Sequence, residues 1–379
     1  MITRLKIANF KSHRNTDIEL GNLTVLTGIN GVGKSSLLQA LLLLRQTYQK
    51  RGFKFGLDLN KPLCNIGTAN EAWYQSANGN PISFELFLKT NTLKWVFDPK
   101  DSLDWSYIPQ IEEQINELDL NELSLFNSDF QYISALRMPI YEKDDIGVLT
   151  EKQISIEYGK GELVAHYLYQ YGSKSIDKII AGGLGIESDS EEVYLIDQTQ
   201  IWEQAISPGV TIRANKTSEG AIIIKYGYEA TGDNKPLQNL RSENVGFGIS
   251  YSLPVIVALL SAKPGALILI ENPEAHLHPE GQAKIAELIS LVSQSGVQVI
   301  IETHSDHIIN GILVASKKFE DNSIGISKDN VRIYYMGSKD EKHATKVDEI
   351  KIIQGGRIEF QPQGFFDRAE IDLSFLMGF

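Results

Sequence analysis

A single cysteine, Cys64, stands in 379 residues. That excludes an internal disulfide framework and suits a reducing compartment; Cys64 itself reads as a small buried hydrophobe. Long apolar runs are missing too. The longest, Leu37 to Leu44 and Leu253 to Leu260, fall well short of the ~18 residues needed to span a bilayer. The first residues, MITRLKIANFK, alternate polar with apolar and lack the apolar centre of a signal peptide, so a cytoplasmic location is expected. There is no internal repeat and no sustained heptad pattern, which argues against a long coiled-coil arm. Positive charge is in deficit: 36 Lys and Arg against 48 Asp and Glu, net -12. A uniformly basic nucleic-acid surface is therefore not expected. Two small basic clusters (Lys50, Arg51, Lys54; Lys317, Lys318) and the acidic run Glu187 to Glu192 read as solvated surface.

What is present is a complete phosphate-binding loop. Gly28 to Ser35 (GINGVGKS) fits G-x-x-x-x-G-K-[ST] without mismatch. Asn22 to Thr27 before it reads as a buried strand, and Ser36 onward, rich in Leu and Ala, as a helix. Glycines there open backbone conformations closed to other residues, so successive N–H groups converge on a phosphate, and the helix aims its positive end at the same point. Asn30, Gly31, Gly33 and Ser36 would line that cradle. Lys34 would place a positive charge at the β- and γ-phosphates of ATP, and Ser35 a hydroxyl on Mg²⁺.

Around the loop, the sequence predicts an α/β fold in three regions. Residues 1–100 hold an antiparallel β-lobe and the P-loop half of the head; 101–240 form a middle insertion of helices and strands; 241–379 complete the head and end in a small subdomain. Ile2 to Ile7, Ile18 to Leu20 and Leu23 to Leu26 supply the first strands, with Arg14 a candidate to reach the nucleotide from the lobe. Pro81 to Leu88 and Leu93 to Phe97 form a hairpin across Thr90-Asn91-Thr92. Ile108 to Phe126 has apolar residues at helical spacing, predicting an amphipathic surface helix or two. Glu162 to Tyr169 and Ser175 to Ala181 look helical, whereas Val193 to Gln200, Val210 to Asn215 and Ala221 to Tyr228 alternate like strands. Asn244 to Ser250 is a glycine-rich turn feeding a helix from Tyr251, with Pro254 in its first turn. Ala266 to Ile270 is wholly apolar and stops in Glu271-Asn272-Pro273-Glu274, the pattern of a central strand with carboxylates at its outer end. A second such strand, Gln298 to Ile301, ends in Glu302-Thr303-His304. Glu271 would then hold Mg²⁺ through water, and His304 would sit where a γ-phosphate is sensed. The pair His276 and His278 has metal-ligand chemistry but no supporting cluster, and reads as a turn.

These motifs, taken in order, resemble the ABC-type ATPase heads of the SMC, Rad50 and RecF group. More closely, they resemble compact prokaryotic AAA-labelled ATPases ending in a C-terminal domain of unknown function. The matching stretches are Asn9-Phe10-Lys11-Ser12, the P-loop, Phe130 to Arg137, Asn244 to Ser250, Ile270 to Pro279, Glu302 to Asp306 and Gln363 to Asp367. The resemblance implies a P-loop fold of ABC type with a mixed central sheet. It implies a homodimer with ATP sandwiched between heads, Gly246, Gly248 and Ser250 of one head reaching the γ-phosphate on the other. Glu274 to Pro279 would be the D-loop and His304 the switch histidine. One departure matters: relatives carry Asp-Glu where this chain has Glu271-Asn272. An amide cannot act as a general base, so Glu274 becomes the candidate catalytic acid.

Three functions are compatible with this pattern. The first is an ATP-driven conformational switch controlling a separate effector, such as a nuclease or toxin, in anti-phage defence or genome maintenance. The second is an ATP-bound scaffold with little turnover, which Asn272 favours. The third is RecF-like DNA repair, which would need a local basic face. No self-contained nuclease module is recognisable.

Overall fold

A computed structural model describes residues 1–115, 119–137, 153–176, 193–228, 237–241, 244–362, 364–365 and 368–377. The acidic run and most of the stretch 175–181 lie outside these residues, as do positions 363, 366 and 367 of the C-terminal match. In chain order, strands β1 (Ile2–Phe10), β2 (His13–Glu19) and β3 (Leu23–Gly28) precede helix α1 (Lys34–Arg51). Then come β4 (Ile82–Leu88), β5 (Thr92–Phe97), β6 (Gln110–Gln114) and β7 (Phe130–Ile133). Helices α2 (Val164–Tyr171) and α3 (Leu195–Ile206) lead to β8 (Val210–Lys216), β9 (Ile222–Tyr228) and β10 (Leu237–Arg241). Next are α4 (Phe247–Ser261), β11 (Leu267–Glu271), α5 (Pro279–Gln294), β12 (Gln298–Glu302), α6 (Asp306–Asn322), β13 (Val331–Met336), β14 (Asp348–Ile350) and α7 (Arg368–Met377). No helix among the described residues is long and apolar enough to cross a membrane.

The chain divides into two compact units. The first comprises Met1–Asn127, Ile300–Asp306 and Lys328–Phe379. Its lobe is an antiparallel sheet in the order β2-β1-β4-β5-β6. Alternation dictates its faces: Ile82, Phe84 and Leu86 of β4 are buried while their neighbours are half-buried. Beside this lobe β3, apolar and buried, pairs in parallel with β13 from Val331↔Leu23 to Met336↔Gly28. β14 pairs antiparallel with β13. On the residue after β12, the Thr303 N–H donates to the Leu26 carbonyl at 3.0 Å. That contact brings the end of β12 beside the P-loop strand.

The second unit comprises Ser128–Val299 and His307–Ser327. β11 pairs in parallel with β7, Leu267↔Phe130 to Ile270↔Ile133. A three-stranded antiparallel sheet, β8-β9-β10, forms separately. α4 is buried almost throughout, as its apolar sequence requires.

Three local expectations fail. Residues 110–114 form β6, an edge strand, instead of an amphipathic helix. Its glutamates face the lobe's cations and donors: Lys94 pairs with Glu112 at 2.8 Å and the Trp95 indole N–H donates to Glu113 at 3.1 Å. Ile111 is exposed, so the helical spacing of Ile111 and Ile115 reflects no buried face. Residues 195–206 form α3, not a strand. Leu195, Thr199, Trp202 and Glu203 recur at helical spacing on its buried side, and the alternation of Val193 and Leu195 does not extend past the first residue of the helix. α4 begins at Phe247, so Pro254 lies inside it rather than in the first turn. Its ring packs against Gly161, where a Cβ would come within 2.6 Å.

Trp95 anchors the aromatic core of the lobe, fully buried with ring centroids 5.0 Å from Phe53 and 6.2 Å from Phe126. Trp95→Ala should cost about 3–5 kcal/mol of stability, read as a lower midpoint in urea unfolding.

Candidate nucleotide site

In the first unit the P-loop wraps a cavity of about 630 Å³. Asn30, Gly31, Gly33, Lys34, Ser35 and Ser36 line it, and so does His304. Two glycines carry the turn. At Gly28 (φ 135°) a Cβ would lie 2.1 Å from the Met336 carbonyl oxygen of β13. At Gly33 (φ 117°) a Cβ would lie 2.5 Å from the Ser12 hydroxyl, 2.7 Å from that of Thr345 and 3.0 Å from His13 Nε2. Gly33 also opens α1, its carbonyl accepting from the Ser36 N–H at 3.0 Å.

Lys34 Nζ donates to the carbonyls of Gly28 (3.0 Å) and Ile29 (2.6 Å). An ammonium has three donors, so one remains for a phosphate. Burial pushes its pKa down, and Glu302 partly offsets this. The Ser35 hydroxyl donates to Glu302 Oε1 at 3.0 Å. Ser35 and Glu302 are hard oxygen donors side by side, the donor type that suits Mg²⁺. Two more lysines, Lys11 and Lys339, and the carboxylate of Glu71 complete the charged lining. Three lysines against two glutamates make a locally positive wall in a chain of net charge -12.

Sequence reading missed several of these residues. Glu302 gives the same signal as Glu271, an acid ending an apolar strand. His13 gives none. It is fully buried; its Nε2 sits 2.9 Å from the Gly33 carbonyl and its Nδ1 2.8 Å from the Thr16 hydroxyl. A carbonyl only accepts, so Nε2 carries the proton and Nδ1 accepts from Thr16. Arg14 is exposed on β2 and does not line the cavity.

Glu271, Glu274, Gly246, Gly248 and Ser250 belong to the second unit. Glu271 accepts from the Tyr132 hydroxyl at 3.0 Å and the Ala135 N–H at 3.2 Å. Burial raises its pKa, against the pull of those donors and of Arg137. Arg137, buried, donates to the carbonyls of Ser134 (3.0 Å), Glu271 (2.9 Å) and Asn272 (2.7 Å). Burial pushes its guanidinium down to about 10 although Glu274, Tyr251 and Glu271 pull the other way. Asn272 sits at φ 46°, a conformation Asn tolerates better than most residues, and its amide reaches Glu274 at 3.4 Å. On α4 the Ser250 hydroxyl donates to its own helix, to Phe247 at 3.3 Å. Gly248 lies against the turn, where a Cβ would meet the His276 carbonyl at 2.8 Å, while Gly246 is open. His276 stacks edge-on with Tyr251 at 4.5 Å, and His278 Nδ1 faces the Glu280 N–H at the start of α5. Among the described residues no three His, Cys, Asp or Glu side chains are grouped to hold a metal ion.

The fold has known counterparts. The chain is similar to an SMC head bound to the C-winged helix domain of ScpA (TM-score 0.53, 15% identity, covering 93% of this chain and 98% of that one). It is also similar to an Smc head domain with an extended coiled coil, bound to the C-terminal domain of ScpA derived from Pyrococcus furiosus (TM-score 0.50, 15% identity, 99% of both chains). Residues 1–160 match the family described as "AAA ATPase domain". Residues 168–310 match "AAA domain, putative AbiEii toxin, Type IV TA system".

Two AAA-domain family models thus match successive stretches of the chain, and its fold is that of an SMC head. A third match, residues 326–376, is to "Protein of unknown function (DUF3696)". The "OLD nuclease" of Thermus scotoductus is 22% identical over 326 residues, and the "Old nuclease" of Escherichia phage P2 is 39% identical over 70 residues. These alignments take in 80% and 18% of this chain, but only 59% and 11% of the two curated relatives.

The His13 tether makes a pH prediction. Burial lowers its pKa from 6.5 to about 4, with Lys339 and Lys11 adding to the effect and the Gly33 carbonyl opposing it. Between those values the unfolded chain binds a proton that the folded chain refuses, so the stability due to neutral His13 is full above pH 6.5 and declines toward pH 4. The loss across that window should reach about 3 kcal/mol. In thermal melts, the advantage of the wild-type chain over His13→Gln should shrink steadily as pH falls from 6.5 to 4.

Proposed function

We propose that this chain is an ATPase that binds Mg²⁺-ATP in the P-loop cavity, pairs with a second copy around it, and uses the pairing to control a separate effector. The observation that carries the reading is the convergence on one cavity of the P-loop residues Asn30, Gly31 and Gly33 to Ser36, the Ser35–Glu302 oxygen pair and His304. Loop amides and Lys34 would hold the β- and γ-phosphates. Ser35 and Glu302 would hold the magnesium, with Glu271 a further candidate; bound there, Mg²⁺ neutralises charge on the phosphate oxygens. His304 is exposed at the rim, suited to sense a γ-phosphate. Gly246 and the start of α4 would meet that phosphate from a partner copy, since an open glycine before a helix offers unshared N–H groups.

Hydrolysis would draw on Glu274, because Asn272 has no basic oxygen to take a proton. The same substitution favours a second reading, an ATP-held scaffold of low turnover. A nuclease or toxin effector is supported by the nucleases among the curated relatives. A RecF-like DNA grip is weaker: Lys50 pairs with Asp58 at 2.7 Å, Lys317 with Asp321 at 2.6 Å and Lys318 with Glu287 at 3.3 Å.

Lys34→Ala should abolish ATP binding by calorimetry, a loss of at least about 100-fold expected for removing a charge-assisted phosphate contact in a closed loop; unchanged affinity would refute the site. Glu274→Gln should leave ATP binding intact and lower phosphate release by about 100-fold, the usual worth of a general base. Equal release from both proteins would remove Glu274 from the chemistry, and tight binding with no release from either would favour the scaffold.

A further inference from the structure

The segment matched to a family of unknown function contains a hairpin, residues 338–346, that folds onto the P-loop. It is self-bracing. Lys339 bridges Thr345, the Lys346 N–H reaches the Ser338 carbonyl at 3.2 Å, and the Asp340 carboxylate accepts from the N–H groups of Lys342 (2.9 Å) and Ala344 (2.8 Å). One flank is seated on the lobe: the Tyr74 hydroxyl donates to the Lys342 carbonyl at 2.6 Å, and Tyr74 packs with Ala77 and Ala344. The other flank grips the nucleotide loop. The Thr345 N–H donates to the Ser12 carbonyl at 2.8 Å, and the Thr345 hydroxyl donates to the Val32 carbonyl with the Ser12 hydroxyl 2.8 Å away.

Lys339 borders the phosphate cavity. It also borders a second cavity of about 470 Å³, which shares Lys11, Ser12 and Glu71 with the first. Among the described residues no carboxylate lies within salt-bridge distance of Lys339. Lys339, Lys11 and Lys34 thus put three ammonium groups on one cavity, a mutual repulsion that a bound polyanion relieves.

We propose that this hairpin is a working part of the nucleotide site, with Lys339 a ligand of the ATP phosphates and Thr345 a positioning residue that sets the P-loop through Val32. Nucleotide occupancy is then transmitted to the C-terminal segment, which gains order when the phosphates engage Lys339. This rests on the assignment of the cavity to ATP.

The test uses the full chain, Mg²⁺-ATP calorimetry and amide hydrogen exchange. Lys339→Ala should weaken ATP about tenfold, the scale of one charge-assisted hydrogen bond. Lys339→Arg should restore most of the affinity. Thr345→Val should weaken ATP and Thr345→Ser should rescue it, which a simple packing role would not produce. In the wild-type chain ATP should slow exchange at 338–346. Suppose wild type binds ATP and Lys34→Ala does not, while Lys339→Ala and Thr345→Val bind normally and exchange at 338–346 is unmoved. The hairpin's role is then overturned and the ATP site stands. No ATP binding by the wild-type chain would overturn both.

Discussion

The proposed nucleotide site depends on tying the P-loop carbonyls away from the cavity. In a planar trans peptide the C=O and the following N–H point in opposite directions. The Val32 carbonyl is held by Thr345 and the Gly33 carbonyl by His13, and neither of those residues lines the cavity, whereas Gly33 and Lys34 do. Fixing the two carbonyls therefore fixes the N–H groups of Gly33 and Lys34 on the other side. Such amides stabilise an anion most when they are oriented before it arrives, since no reorganisation is then required. Gly33 is confined to glycine by the same convergence, with Ser12, Thr345 and His13 all crowding its missing Cβ.

The second unit applies a similar logic to its own acids. Arg137 donates to three carbonyls along two turns and so fixes the backbone that presents Glu271 and Asn272. Tyr251 on α4 stands under the Arg137 guanidinium at 5.8 Å and beside His276 at 4.5 Å. The helix after the glycine turn, the strand-end acids and the Leu-His-Pro turn are thus bound into one network, in which a shift of α4 would be felt at Asn272.

Much of this was legible because phosphate chemistry needs contiguous residues. The P-loop, the strand before it, the two apolar strands ending in acids and the helix after the glycine turn all have short-range signatures. The antiparallel lobe declared itself through alternation and a three-residue turn. What stayed hidden depends on distant contacts. His13 reads as a polar residue in a turn until it is seen beneath Gly33, 20 positions away. Thr345 lies in a charged stretch with no periodicity and meets Val32 across 313 positions. In β6 and α3 a few apolar residues fit the wrong period, and only the pairing of Glu112 with Lys94 or the burial of Trp202 decides between periods.

The most direct test of the tethered loop is a crystal structure of the full chain with Mg²⁺ and a non-hydrolysable ATP analogue. The account predicts the β-phosphate within hydrogen-bonding distance of the Gly33 and Lys34 N–H groups, with the His13–Gly33 and Thr345–Val32 contacts retained. An analogue bound elsewhere, or one bound in the loop with both contacts broken, would contradict it.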